Sequence, residues 1–128
     1  MMPKKPSILR VQHAQITIPT GTEAEARAFY CAFLGLREIP KPESLRGRGG
    51  FWLEIGAFQV HVGTENDFDR TKTKAHPAYE VEDLEAWREK LEAFDIKILE
   101  GVTIPDYNRL EFRDPFGNRV EFLEKRED

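Results

Sequence analysis

Apolar and polar residues alternate from Val11 to Pro19 (VQHAQITIP), the two-residue period of a strand with one buried face. Thr22 and Glu25 have the spacing of a capping box. Residues 23–34 follow with Phe29 and Phe33 one turn apart, which predicts a helix ended by Gly35. Leu36 to Ile39 predicts a short strand closed by Pro40, and KPESLRGRGG, 41–50, a loop. FWLEI and FQVHV flank Gly56-Ala57 and predict a hairpin. After the polar stretch TENDFDRTKTK, 64–74, the same order begins again. Pro77 to Val81 predicts a strand, and Asp83 caps a helix running to about Phe94 with Leu84, Trp87, Leu91 and Phe94 on one face. Ile96 to Leu99 predicts a short strand. Arg109–Arg113 and Arg119–Leu123 predict a second hairpin around the turn residues DPFGN.

The order is therefore βαβββ, a linker, then βαβββ, an internal repeat. HAQITIP at 13 faces HPAYEVE at 76, RAFYCAFLGL at 27 faces EKLEAFDI at 89, and VHV at 60 faces VEF at 120. The expected fold class is α+β. One domain over 8–126 is expected, made of a module 11–63 and a module 76–124 joined by the linker 64–75.

Composition narrows the function. The chain has 128 residues, 40% hydrophobic and 33% charged, which suits a soluble globular protein. A net charge of −4 argues against nucleic acid as a partner, since phosphates call for a basic surface. No run approaches the roughly 18 apolar residues of a membrane span. MMPKKPSILR lacks the apolar region of a secretory signal, so a cytoplasmic location is expected. The single cysteine, Cys31, allows no internal disulfide and reads as a buried, inert thiol.

FQVHVG, 58–63, carries an amide and an imidazole on its polar face. The chain has three histidines, and their placement gives His61 its context. His13 opens the first strand of one repeat and His76 the first strand of the other. His61 lies in the last strand of the first repeat, and its counterpart in the second is Glu121. If the halves are related by a pseudo-two-fold axis, the four side chains converge on one point. Three imidazoles and a carboxylate suit one divalent ion such as Zn, Ni, Mn or Fe. Each residue alone reads as an ordinary packed or solvated strand position; the joint pattern is what points to a metal.

The segments HAQITIP, EARAFYCAFLGL, AHPAYEVEDLEAWREKLEAFDIKI and RLEFRDPFGNRVEFLE resemble the vicinal oxygen chelate superfamily. That superfamily includes glyoxalase I, bleomycin-resistance proteins, fosfomycin-resistance enzymes and extradiol dioxygenases. The resemblance runs from about Val11 to Glu124. It implies a glyoxalase-like fold, two βαβββ modules whose sheets curl around a metal cleft, and a homodimer whose clefts often combine modules of two chains. It implies His13, His76 and Glu121 as ligands, with His61 either a fourth ligand or a substrate-binding residue. It also implies a small oxygenated substrate chelated by the metal, a lyase, isomerase or dioxygenase type of chemistry, and Glu121 as a proton shuttle. The alternative is a drug-sequestering protein without catalysis.

Strand parity places Gln15 and Thr17 with His13, Gln59 and Gly63 with His61, and Ala78 and Glu80 with His76. Gln59 is a candidate to orient substrate or pair across strands. Trp52, Tyr107 and Phe112 are candidates for a cleft wall or for core. Arg109 is a candidate for holding a substrate anion, with an ion pair to Glu111 or Glu121 as the favoured alternative. The loop bearing Arg46 and Arg48 is placed to close over a ligand.

Overall fold

The computed structural model describes residue 2 and residues 4–127. Strand β1 is His13–Ile18, helix α1 Glu23–Arg27, β2 Arg37–Ile39, β3 Phe51–Ile55, β4 Phe58–Thr64, β5 Ala78–Glu80, α2 Leu84–Ala93, β6 Tyr107–Arg113 and β7 Arg119–Lys125. They form a four-stranded sheet in the order β1-β4-β3-β2 and a three-stranded sheet in the order β5-β7-β6. In both sheets the first strand runs parallel to the last and the last runs antiparallel to its hairpin partner.

The alternation seen in the sequence decides what each face does. Ile16, Ile18, Leu53, Val60 and Val62 of the first sheet and Leu110, Phe112, Val120 and Phe122 of the second are buried in one continuous core. That core runs between the two halves. Phe29, beyond α1, packs on Phe112 with ring centroids 6.3 Å apart, and Phe33 meets Phe94 at 4.6 Å. Lys90 Nζ donates to the Phe33 carbonyl at 2.6 Å. The histidine-bearing faces lie on the opposite side of each sheet from this core.

Several local expectations need correction. The segment 23–34 is α-helical only over Glu23–Arg27 and continues as a π-helical turn over Ala28–Phe33. Thr22 makes no capping box, because its hydroxyl donates back to the Pro19 carbonyl at 2.7 Å. Asp83 does cap α2, accepting from the Ala86 N–H at 3.1 Å. Phe94 is 65% exposed rather than buried with Leu91, since it lies one residue past the helix and faces Phe33. Cys31 is half-buried, and burial raises its thiol pKa.

The expected strand at Ile96–Leu99 is absent among the described residues; Leu99 alone bridges to Glu111 of β6. Leu99 exchanges both backbone hydrogen bonds with Glu111, and beyond it the Val102 carbonyl is taken by the Arg109 side chain at 2.7 and 3.0 Å. The stretch 64–74 is more than a tether. Arg70 within it is 5% exposed and donates to the carbonyls of Thr17 and Glu65.

The DPFGN turn is organised by Asp114, which is buried and accepts from the Phe116 and Asn118 N–H groups and from the Tyr30 hydroxyl at 2.5 Å. Asn118 in turn donates to the Thr17 carbonyl of β1, joining the second hairpin to the first sheet. Among the described residues, no helix is long and apolar enough to cross a membrane.

Candidate metal centre

The structure brings the four predicted residues together as two pairs, one on each sheet. In the first sheet, register sets His13 opposite Gln59 and His61 opposite both Gln15 and Trp52. The Trp52 ring stacks on His61 at 3.8 Å, and His61 stacks on His13 at 4.0 Å. Gln59 Oε1 lies 2.9 Å from His61 Nε2, which therefore carries the proton and leaves Nδ1 as the acceptor. Burial, and behind it the nearby His13, holds the His61 pKa below its ordinary value. His61 is thus a neutral imidazole in a cleft of about 680 Å³ that also includes His13, Trp52 and Gln59.

In the second sheet, His76 stands one residue before the Pro77 carbonyl that accepts from the Glu121 N–H. Its Nε2 lies 2.9 Å from Glu121 Oε1 and its Nδ1 2.8 Å from the Lys74 carbonyl. A carbonyl can only accept, so Nδ1 carries a proton. In the neutral ring the Nε2 lone pair then faces a carboxylate oxygen. Two acceptors at that distance call for a shared proton or a cation. A histidine that gives its other N–H to a backbone carbonyl is also oriented as metal-bound histidines are.

A third acidic residue belongs here. Glu111 sits directly across from Glu121 in the β6–β7 ladder, and one donor atom from each of His76, Glu111 and Glu121 falls within 4.8 Å of the others. Both carboxylates are buried. Like charges directly opposite repel, and two arginines offset them. Arg119 donates to both oxygens of Glu111 at 2.6 and 2.7 Å, which depresses the Glu111 pKa. Arg109 reaches Glu111 and Glu121 at 3.4 Å each. The Arg109 guanidinium packs against Gly101, its Cζ 2.9 Å from where a Cβ would sit, and donates to the Val102 carbonyl. Arg109 therefore ties the 100–106 loop to the Glu121 carboxylate, the ion-pair alternative anticipated for it.

Glu111 was weighed in the sequence only as a partner for Arg109. Its place follows from hairpin arithmetic: centring the turn on DPFGN pairs Arg113 with Arg119 and hence Glu111 with Glu121. Of the other wall candidates, Phe112 is fully buried core and Tyr107 lies away from both histidine pairs, beside Asn108 and Arg126.

The convergence expected of the four side chains does not occur within one chain. Among the described residues, the only group of three or more metal-binding side chains is His76, Glu111 and Glu121. His13 and His61 line one cleft with Trp52 and Gln59, whereas His76 lines another with Gln15, Thr17 and Arg119.

The family model described as Glyoxalase/Bleomycin resistance protein/Dioxygenase superfamily matches residues 10–122. The chain belongs to this superfamily. Among solved structures, a protein from Bacillus anthracis described as of the glyoxalase family is 40% identical, with a TM-score of 0.86 over 96% of this chain and 100% of that one. A glyoxalase/dioxygenase from Nostoc punctiforme is 17% identical, covering 97% and 100% of the two chains with a TM-score of 0.75. An antibiotic-binding protein from a Streptomyces species, TnmS3, is 16% identical, covering 95% and 100% with a TM-score of 0.66. The last two share the fold. No curated protein matches the chain. Membership accounts for the α+β architecture, while the residues at the centre decide what this glyoxalase superfamily member does with it.

Proposed function

We propose that this protein is a metal-dependent enzyme of the superfamily, acting on a small oxygenated substrate. The observation that carries the reading is the His76–Glu121 pair. Its Nε2 and a carboxylate oxygen lie 2.9 Å apart while Nδ1 is committed to the Lys74 carbonyl, so both groups present donor atoms to one point. A divalent ion satisfies both groups, and the donor set of imidazole and carboxylate suits Zn, Ni, Mn or Fe(II).

His76 and Glu121 would hold the ion from one chain and His13 from a second copy, in a homodimer whose two open faces complete each other. This arrangement is supported by the cluster of His76, Glu111 and Glu121, which among the described residues does not include His13. Bound there, the metal supplies Lewis acidity that stabilises a developing oxyanion on the substrate. Glu121 would move the proton, with Arg109 keeping its second oxygen oriented. His61 is neutral, with Nδ1 free to accept a hydrogen bond from substrate, and Trp52 and Gln59 fix its ring. His61 thereby falls to the substrate-binding side of its two sequence readings.

The test is metal content and uptake. About one Zn, Ni, Mn or Fe(II) ion per chain is expected in the wild type and none in His76→Ala or Glu121→Gln. Failure of the wild type to take up any of the four contradicts the proposal. The non-catalytic alternative, with the fold of an antibiotic-binding protein in its favour, predicts small-molecule binding that survives His76→Ala.

A further inference from the structure

We infer that the substrate carries an oxyanion group, a carboxylate or a phosphate ester, and that Arg48 and Lys41 bind it. The inference deepens the reading above: it assumes the His13 cleft receives the substrate, but it does not need a metal to be present.

The cleft around His13, His61 and Trp52 has Lys41 and Arg48 on its wall and no aspartate or glutamate. The chain as a whole carries a net charge of −4, so a wall with cations alone departs from the surface average. Both cations come from the loop between β2 and β3, whose 3₁₀ turn spans Glu43–Arg48. That loop is braced as one piece. Lys41 Nζ donates to the Gly49 carbonyl at 2.6 Å, and Arg46 Nε donates to the Lys41 carbonyl at 3.2 Å. At its end, Gly50 packs so closely on β4 that a Cβ would fall 2.0 Å from the Val62 carbonyl oxygen.

Arg46 is therefore a structural brace. Arg48 makes no hydrogen bond or ion pair among the described residues, whereas Arg37, Arg109 and Arg119 are committed to carboxylates and Arg113 to backbone carbonyls. An exposed guanidinium on a braced loop beside a cleft is a preformed oxyanion receptor, and the Lys41 ammonium has two further protons to give.

The charge on the second sheet agrees. There Arg109 and Arg119 match Glu111 and Glu121 one for one. Any divalent ion added to that balance leaves the site positive, and an anionic substrate restores neutrality. The substrate would then present vicinal oxygens toward His13 and a charged group toward the Arg48 loop.

Isothermal titration with two matched pairs tests this. Dihydroxyacetone phosphate is compared with dihydroxyacetone, and 3,4-dihydroxybenzoate with catechol, on metal-free and zinc-loaded protein. Within each pair the vicinal oxygens are the same and only the remote anion differs. At least one anion is expected to bind about tenfold or more tightly than its neutral partner, as charge-assisted bonds do. The preference is expected to shrink in Arg48→Gln and in Lys41→Gln and to weaken with added salt. Preference in the first pair alone assigns a phosphate ester, and in the second alone a carboxylate.

Equal affinity within both pairs overturns the inference. So does a preference that both substitutions leave unchanged. Zinc that fails to bind while the Arg48-dependent preference persists contradicts the metal reading alone. Zinc that binds while no preference exists contradicts this inference alone.

Discussion

Replacing Glu111 by glutamine separates a structural carboxylate from a metal-binding one. Glu111 and Glu121 lie opposite each other, both buried, and by proximity alone either is a candidate ligand. Their partners distinguish them. Both oxygens of Glu111 are held by Arg119 in a bidentate contact, whereas Glu121 turns one oxygen to Nε2 of His76. Removing one member of a buried ion pair typically costs about 3–5 kcal/mol. Arg119 is 26% exposed and can partly rehydrate, glutamine keeps one acceptor, and the repulsion with Glu121 is relieved, so the net loss should be roughly 2 kcal/mol. For a chain of this length that lowers Tm by about 8 °C. Thermal unfolding followed by circular dichroism measures it, and a zinc titration is run on the same sample. Glu111→Gln should bind zinc no more than about tenfold more weakly than wild type, because its oxygens are taken by Arg119 and Arg109. Glu121→Gln should keep most of its stability and lose zinc. The reasoning fails if Glu111→Gln loses zinc while Glu121→Gln retains it, or if Glu111→Gln melts within a degree of wild type.

Two tyrosines predict opposite responses to loss of a hydroxyl. The Tyr30 hydroxyl donates to Asp114, and Tyr30→Phe should cost about 2 kcal/mol by urea unfolding. The Tyr79 hydroxyl is buried without a partner, so Tyr79→Phe should be neutral or stabilising by up to about 1 kcal/mol. Burial pushes the Tyr79 pKa from 10.0 up to about 12. The unfolded chain therefore loses this proton first. The contribution is intact below pH 10 and is lost as pH rises toward 12, and alkaline melting curves should show less of that loss in Tyr79→Phe. Gly50 has φ of 77° and its absent Cβ would meet backbone, so Gly50→Ala should destabilise the chain by several kcal/mol, on the order of 2–4, and lower its Tm accordingly.

Strand periodicity carried most of the fold into view. VQHAQITIP and FQVHV alternate cleanly because one face of each strand meets the core and the other does not, and the three histidines stood out as polar residues on that second face. The repeat order revealed which histidine answers which, and the DPFGN turn set the register that pairs Glu111 with Glu121. Other features depend on contacts distant in the chain. Ile96 to Leu99 has strand composition, yet among the described residues only Leu99 of this segment bonds to β6. Thr22 has the spacing of a cap and gives its hydroxyl to Pro19 instead. The separation of the four site residues into two pairs was also hidden. Phe29, Phe33, Phe94 and Phe112 all read as apolar core, and nothing local says that they join the halves while His13 and His61 stay apart from His76 and Glu121.

That separation makes complementation between two inactive chains the most direct test of the account. His13→Ala and His76→Ala are each expected to bind no zinc. Co-expressed in equal amounts, they should form mixed dimers in which His76 and Glu121 of one chain meet His13 of the other, restoring about a quarter of the wild-type zinc per chain by random pairing. Zinc bound by either variant alone, or no recovery in a mixture whose chains are folded and dimeric, would contradict a metal centre completed by a second copy.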